Sequence, residues 1–150
     1  MRFTLAIAAA LVPALLAAAT SPLKPGEYEL TTQFSVPGRP KMPEQTDRHC
    51  YTAAQLEELA KVMGGGRGTN QSCKVVDSKT TGSKLTFTTE CVRPSGPPVT
   101  MVGDVTFTSS ESYHAIMTMK AAVDGNGSSP RVAGTFDITG KRIGECKAGR

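Results

Sequence analysis

Residues 100–123 read TMVGDVTFT, then SSES, then YHAIMTMKAAV. Thr100 to Thr108 and Tyr113 to Val123 each alternate apolar with polar side chains, the period of a half-buried strand, and the Ser- and Thr-rich segment between them reads as a turn. With Ser110 at its centre, Met101 falls opposite Met119, Gly103 opposite Met117, Val105 opposite Ala115 and Phe107 opposite Tyr113. One face of this antiparallel hairpin therefore carries Met101, Met117 and Met119 beside the Phe107 and Tyr113 rings. Methionine fills irregular gaps and packs on rings, so the first reading of the cluster is core. Its sharper readings are a flexible apolar ligand pocket, or a thioether site for a soft ion such as Cu(I).

The flanking sequence repeats the pattern. Upstream, Cys73 to Lys79 and Lys84 to Val92 flank a turn at Thr80–Ser83, and a central Gly82 places Cys73 opposite Cys91, Val75 opposite Thr89 and Asp77 opposite Phe87. Downstream, residues 124–130 (DGNGSSP) are a turn, Arg131 to Thr139 a strand, Gly140-Lys141 a turn, and Arg142 to Cys146 a last strand. Nearer the start, Glu27 to Val36 alternates, so Tyr28, Leu30 and Phe34 are expected to be buried and Glu29, Thr31 and Gln33 exposed. Pro37 to Pro43 is a loop and Gln45 to Tyr51 a more polar strand. Thr52 followed by Gln55 matches a capping box, and Leu56, Leu59, Ala60 and Met63 share one face, so residues 52–63 form a short helix that ends at Gly64. The glycine-rich run 64–68 has neither the preceding strand nor the following Lys-Ser/Thr of a phosphate cradle, and reads as a connector. Short connections between successive strands make the fold mainly β: an antiparallel meander of about seven strands forming a curved sheet or partly closed barrel, with one short helix.

Compartment follows from the two ends of the chemistry. Met1 and Arg2 precede an uncharged, Ala- and Leu-rich run from Phe3 to Ala19 that closes on Ala17-Ala18-Ala19, the pattern of a secretory signal peptide cut before Thr20. Residues 1–19 are thus a cleaved signal, and residues 20–150 a single disulfide-bonded domain, periplasmic or secreted, with no stable membrane insertion after cleavage. The four cysteines, Cys50, Cys73, Cys91 and Cys146, contain no close C-x-x-C pair, which argues for two disulfides over zinc or a redox motif. Two pairings stay open: Cys73–Cys91 with Cys50–Cys146, or Cys50–Cys73 with Cys91–Cys146.

A net charge of +4 with basic residues scattered singly, no Trp, three Tyr and five Phe gives no stripe for nucleic acid. The two histidines, His49 and His114, stand on the faces opposite Cys50 and Tyr113, without metal-ligand or triad spacing, and read as surface or rim residues. No catalytic motif is present, so the expectation is a non-enzymatic module with no cofactor. Its partner would be a small apolar ligand or an envelope protein, met through Met101, Met117, Met119, Phe107 and Tyr113; the alternative is a periplasmic Cu(I)-binding protein using the methionines.

Several segments in order resemble a known family: Lys24 to Leu30 (KPGEYEL), Val36 to Pro40 (VPGRP), Gln45 to Cys50 (QTDRHC), Cys73 to Asp77 (CKVVD), Cys91, Tyr113 to Met119, and Gly140 to Cys146 (GKRIGEC). Together they resemble the domain of unknown function 3617 family of small exported bacterial proteins, with Tyr28 standing where that family usually has Trp. The resemblance implies export and a shared β-rich fold. The family has no established activity, so it implies no catalytic residue.

Overall fold

Alternating β-branched, aromatic and polar residues build seven strands whose apolar sides all meet on one face of a single sheet. The structure, a computed structural model, describes residues 21–65, 72–92, 98–121 and 131–147. The strands are β1 (Gly26–Ser35), β2 (Gln45–Tyr51), β3 (Ser72–Thr81), β4 (Lys84–Val92), β5 (Val99–Ser109), β6 (Ser112–Ala121) and β7 (Arg131–Gly144), with two short helices, α1 (Ala53–Glu57) and α2 (Leu59–Gly64), between β2 and β3. The signal segment 1–19, the turn at 124–130 and most of the glycine run 64–68 lie outside the described residues.

The sheet is antiparallel throughout, in the order β2-β1-β7-β6-β5-β4-β3, curved and not closed. Strands β3 to β7 form the expected meander. The chain does not simply begin that meander with β1, however: β1 lies between β2 and β7, so the first strand pairs with the last. The connection from β2 to β3 must therefore travel from one edge of the sheet to the other, and it carries both helices across the apolar face. Among the described residues, β2 and β3, the outer strands, do not pair with each other, so the sheet is the curved open one of the two expected forms.

Three local expectations are corrected. The single helix over 52–63 is divided at Glu58 (φ −107°, ψ 35°). The capping box holds, with Gln55 N–H donating to Thr52 Oγ1 at 3.2 Å and Thr52 N–H to Gln55 Oε1 at 3.0 Å. The break re-aims α2 at the sheet: Thr89 Oγ1 donates to the Gly64 carbonyl at 3.4 Å, and any side chain at position 64 would meet Thr89 and Phe87. Second, Gly140-Lys141 is not a turn; β7 runs through it for 14 residues. Gly140 pairs with Tyr113, and the tyrosine ring lies where a Cβ would stand. Third, Asp77 faces Thr88 rather than Phe87. The turn between β3 and β4 holds two residues, Gly82 (φ 57°) and Ser83, and a bulge between Val75 and Asp77 restores the Val75–Thr89 and Cys73–Cys91 pairings.

The β5–β6 register is the one read from the sequence, from Met101–Met119 to Phe107–Tyr113. The disulfides are Cys50–Cys146 and Cys73–Cys91. The core contains Tyr28, Tyr51, Leu56, Leu59, Leu85, Phe87, Val105, Phe107, Tyr113, Ala115 and Met117. Along β1 the alternation is only partly reflected in burial: Tyr28 is fully buried, Leu30 and Phe34 are half-buried, and Glu27, on the other face, is buried too. Phe34 sits at the far end of β1, beyond the helices, and packs on Phe136 with ring centroids 4.6 Å apart. The lead before β1 is fastened as well: Leu23 is buried, Lys24 N–H donates to the Ser110 carbonyl, Tyr28 Oη to the Lys24 carbonyl, and Arg142 Nε to the Pro25 carbonyl. Among the described residues, no helix is long and apolar enough to cross a membrane.

Candidate ligand cleft between α2 and the sheet

The methionine face becomes a cleft because the helices cover only part of the sheet. Helix α2 packs over β3, β4 and part of β5; beyond it, no described helix covers the apolar side chains of β6, β7 and β1. There Met101, Met117, Phe136, Ile138, Leu30 and Thr32 form the floor, Val62 and Met63 of α2 one wall, and Tyr51 and Tyr113 an end, around a cavity of about 230 Å³. Strand parity explains the floor: Thr32 faces Ile138, Phe136 faces Met117, and Met117 faces Gly103, all on one side of the sheet. Gly103 lacks a side chain because the Phe87 ring occupies that space.

The five expected ligand residues divide. Met101, Met117 and Tyr113 line the cleft. Met119 faces Met101 on the same side of the sheet but does not reach the cavity, and Phe107 lines a separate space of about 250 Å³ beneath the helices with Leu56, Leu59 and Leu85. Sequence reasoning missed the contributions of β1, β7 and α2. Met63 was legible as part of the apolar helix face, but the β1–β7 pairing that brings Leu30 and Ile138 to the same floor has no local signal.

All three tyrosines of the chain form one cluster at the end of the cleft. Tyr28 meets Tyr51 edge to face at 5.3 Å, and the Tyr51 and Tyr113 hydroxyls are hydrogen-bonded at 3.0 Å. Burial raises the Tyr28 phenol above the ordinary tyrosine range, against the opposing pull of the Arg142 charge. His49 is half-buried, its ring edge-on to Tyr51 at 4.5 Å. His114 lies on the opposite, open face with Nε2 2.6 Å from Asp137 Oδ1 and with Thr106 and Thr139 as cross-strand neighbours. That face is solvated and none of the cavities described here includes the pair. Among the described residues no group of three His, Cys, Asp or Glu side chains stands ready for a metal. The chemistry available in the cleft is thus apolar contact, thioether sulfur and phenolic hydroxyl.

No curated protein and no solved structure gives a significant match to the chain. A family model described as protein of unknown function (DUF3617) matches residues 23–146, from the fastened lead to the last cysteine. That span takes in all seven strands, both helices, both disulfides and every residue of the cleft. On this match the chain belongs to the DUF3617 family of proteins of unknown function.

Proposed function

We propose that the protein is an exported, non-enzymatic binding domain that holds a small apolar molecule in the cleft between α2 and the sheet. The observation that carries this reading is the lining itself: Leu30, Val62, Met63, Met101, Met117, Phe136 and Ile138 converge on one cavity, and the polar groups beside them are hydroxyls. Concave, mostly apolar sites with a few polar groups are what small-ligand binding requires. Among the described lining residues the polar groups are the Thr32, Tyr51 and Tyr113 hydroxyls, which suit holding a ligand. Export is supported by the N-terminal sequence pattern and by two disulfides, which persist in oxidising compartments. The test is uptake of the neutral fluorescent probe N-phenyl-1-naphthylamine. Wild type should take it up saturably, and Met63→Trp, which fills the cleft from a half-buried position on α2, should weaken uptake about tenfold, near 1.4 kcal/mol. Equal uptake by the two proteins would overturn the reading.

One observation favours a second reading. Met63 joins Met101 and Met117 on the cavity wall, so three thioethers from three elements face one space, the ligand type that suits Cu(I). Replacing all three by Leu keeps the volume and removes the sulfur. A wild type that competes with a Cu(I) chelator and a triple variant that does not would support this reading; a wild type that cannot compete would remove it.

A further inference from the structure

The charges of the strands are sorted by face. Strand parity puts Arg48, Lys74, Lys79, Lys84, Lys120 and Lys141 on the side away from the cleft, where Arg48 reaches Glu29 at 3.8 Å and Lys84 reaches Asp104 at 3.8 Å. On the cleft side, among the strand residues whose side chains are described, the formal charges are Arg142 and Asp47. Arg142 pairs with Tyr28 at the tyrosine end of the cleft and is engaged there by Glu111, Glu145 and the Pro25 carbonyl. Asp47 is different: it is exposed and pairs directly with Leu30, a cleft-floor residue, while the next cleft-side pair outward is Gln45 with Thr32. Directly opposed side chains in an antiparallel pair have Cβ atoms about 5 Å apart. The rim of the cleft at β1 and β2 is therefore polar and carries one carboxylate. The nearest cation on α2, Lys61, is paired with Glu58 at 3.1 Å.

The cavity also limits the body of the ligand. Its floor runs obliquely from Leu30 and Thr32 on β1 across β7 and β6 to Met101 on β5, three interstrand steps or about 14 Å. A volume of about 230 Å³ spread along that length makes a single elongated trough. An apolar cavity of about 150 Å³ holds benzene, so this one buries a chain or a small probe of modest length and has no room for two acyl chains.

Resting on the ligand-binding reading above, we infer that the cleft takes a single-chain amphiphile with an uncharged or cationic head, seated with its chain across β1, β7, β6 and β5 and its head at Asp47, and that it discriminates against carboxylates. A carboxylate head placed at this rim would meet Asp47 with no free described cation to offset it, whereas an amine would gain from the same charge. One exposed charge at about 6 Å changes affinity roughly threefold in either direction at low salt, so amine and acid should differ about tenfold.

The experiment uses the mature protein loaded with N-phenyl-1-naphthylamine and displaced by decylamine, 1-decanol or decanoate, each below its micellar concentration, at low ionic strength and neutral pH. Decylamine should displace the probe at about one tenth the concentration of decanoate, with decanol between them, and Asp47→Asn should bring all three within about twofold. Asp47 is an exposed edge-strand residue, so this variant is expected to fold, and its circular dichroism checks that it does. Decanoate displacing as well as decylamine, or an order that survives Asp47→Asn, would overturn the assignment of the head while leaving the cleft intact. Probe uptake insensitive to Met63→Trp would instead overturn the cleft as the binding site, so the two failures are distinguishable.

Discussion

Gly140 offers the sharpest test of how the sheet is built, because its replacement has opposite signs in the two readings of that residue. In an exposed turn, or in an uncrowded strand, Gly→Ala gains about 0.5–1 kcal/mol from reduced backbone freedom. In the structure the Tyr113 ring lies against the Gly140 backbone, and an added Cβ would have to displace ring carbons of a side chain that is 1% exposed. Overpacking of that kind costs about 1–3 kcal/mol. Moving the ring also loosens the Tyr51–Tyr113 hydroxyl bond of 3.0 Å, worth about 1 kcal/mol. After the backbone gain is subtracted, Gly140→Ala should destabilise by about 1–3 kcal/mol in urea melts. The same substitution in a Tyr113→Leu background should be neutral or stabilising by about 0.5 kcal/mol, a coupling of 1–3 kcal/mol between touching residues. A Gly140→Ala protein as stable as wild type, or one with the same loss in both backgrounds, would refute the argument that the ring is the reason for the glycine.

Two further outcomes follow from the covalent and electrostatic features. Removing Cys50–Cys146, which spans 96 residues, should cost about 4.7 kcal/mol on the loop-closure estimate, against about 3.2 for Cys73–Cys91, which spans 18; Cys→Ser pairs compared by urea midpoint would show the order, and a reversed order would mean that native packing around the bridges outweighs loop length. Tyr28 has its phenol pKa raised by burial, so its contribution to stability is fully present below about pH 10, where unfolded tyrosine is protonated, and is lost as pH rises through the higher folded value. Tyr28→Phe should therefore lower stability at neutral pH by the Lys24 hydrogen bond yet flatten the fall above pH 10; an unchanged alkaline slope, read by urea midpoints with tyrosinate absorbance, would exclude Tyr28 as its source.

Local periodicity was enough to place β1, β2, β4 and the β5–β6 hairpin, and counting from Ser110 gave the correct register, because antiparallel neighbours joined by short turns leave little freedom. It failed wherever a distant residue decided the outcome. Gly140-Lys141 has the composition of a turn, but its glycine answers to Tyr113, on another strand. The helix had a proper start at Thr52 and Gln55, yet its division at Glu58 serves a contact between Gly64 and Thr89 that nothing near either residue announces. Phe34 follows the alternation of β1 but lies where no described helix covers the sheet, so parity gave its face and not its burial. The cleft shows the same limit: Met101, Met117 and Tyr113 were visible as one face of a hairpin, whereas Leu30, Ile138 and Phe136 join them only through the β1–β7 pairing.

That pairing sets the order in which the chain can fold. The β1–β2 hairpin and the β3–β7 meander are each assembled from neighbours in sequence, so both form from local contacts. The seam between them joins residues 27–35 to residues 135–144, and loop closure over such separations is slow compared with hairpin formation. The Cys50–Cys146 bridge spans the same two ends and cannot form until the last strand has been synthesised. Until then one long edge of β1 and one of β6 are unpaired, the condition under which strands recruit foreign strands. The first strand of the sheet is therefore the first made and the last to be completed, and the β1–β7 seam is the step at which a foreign strand would compete with the native one.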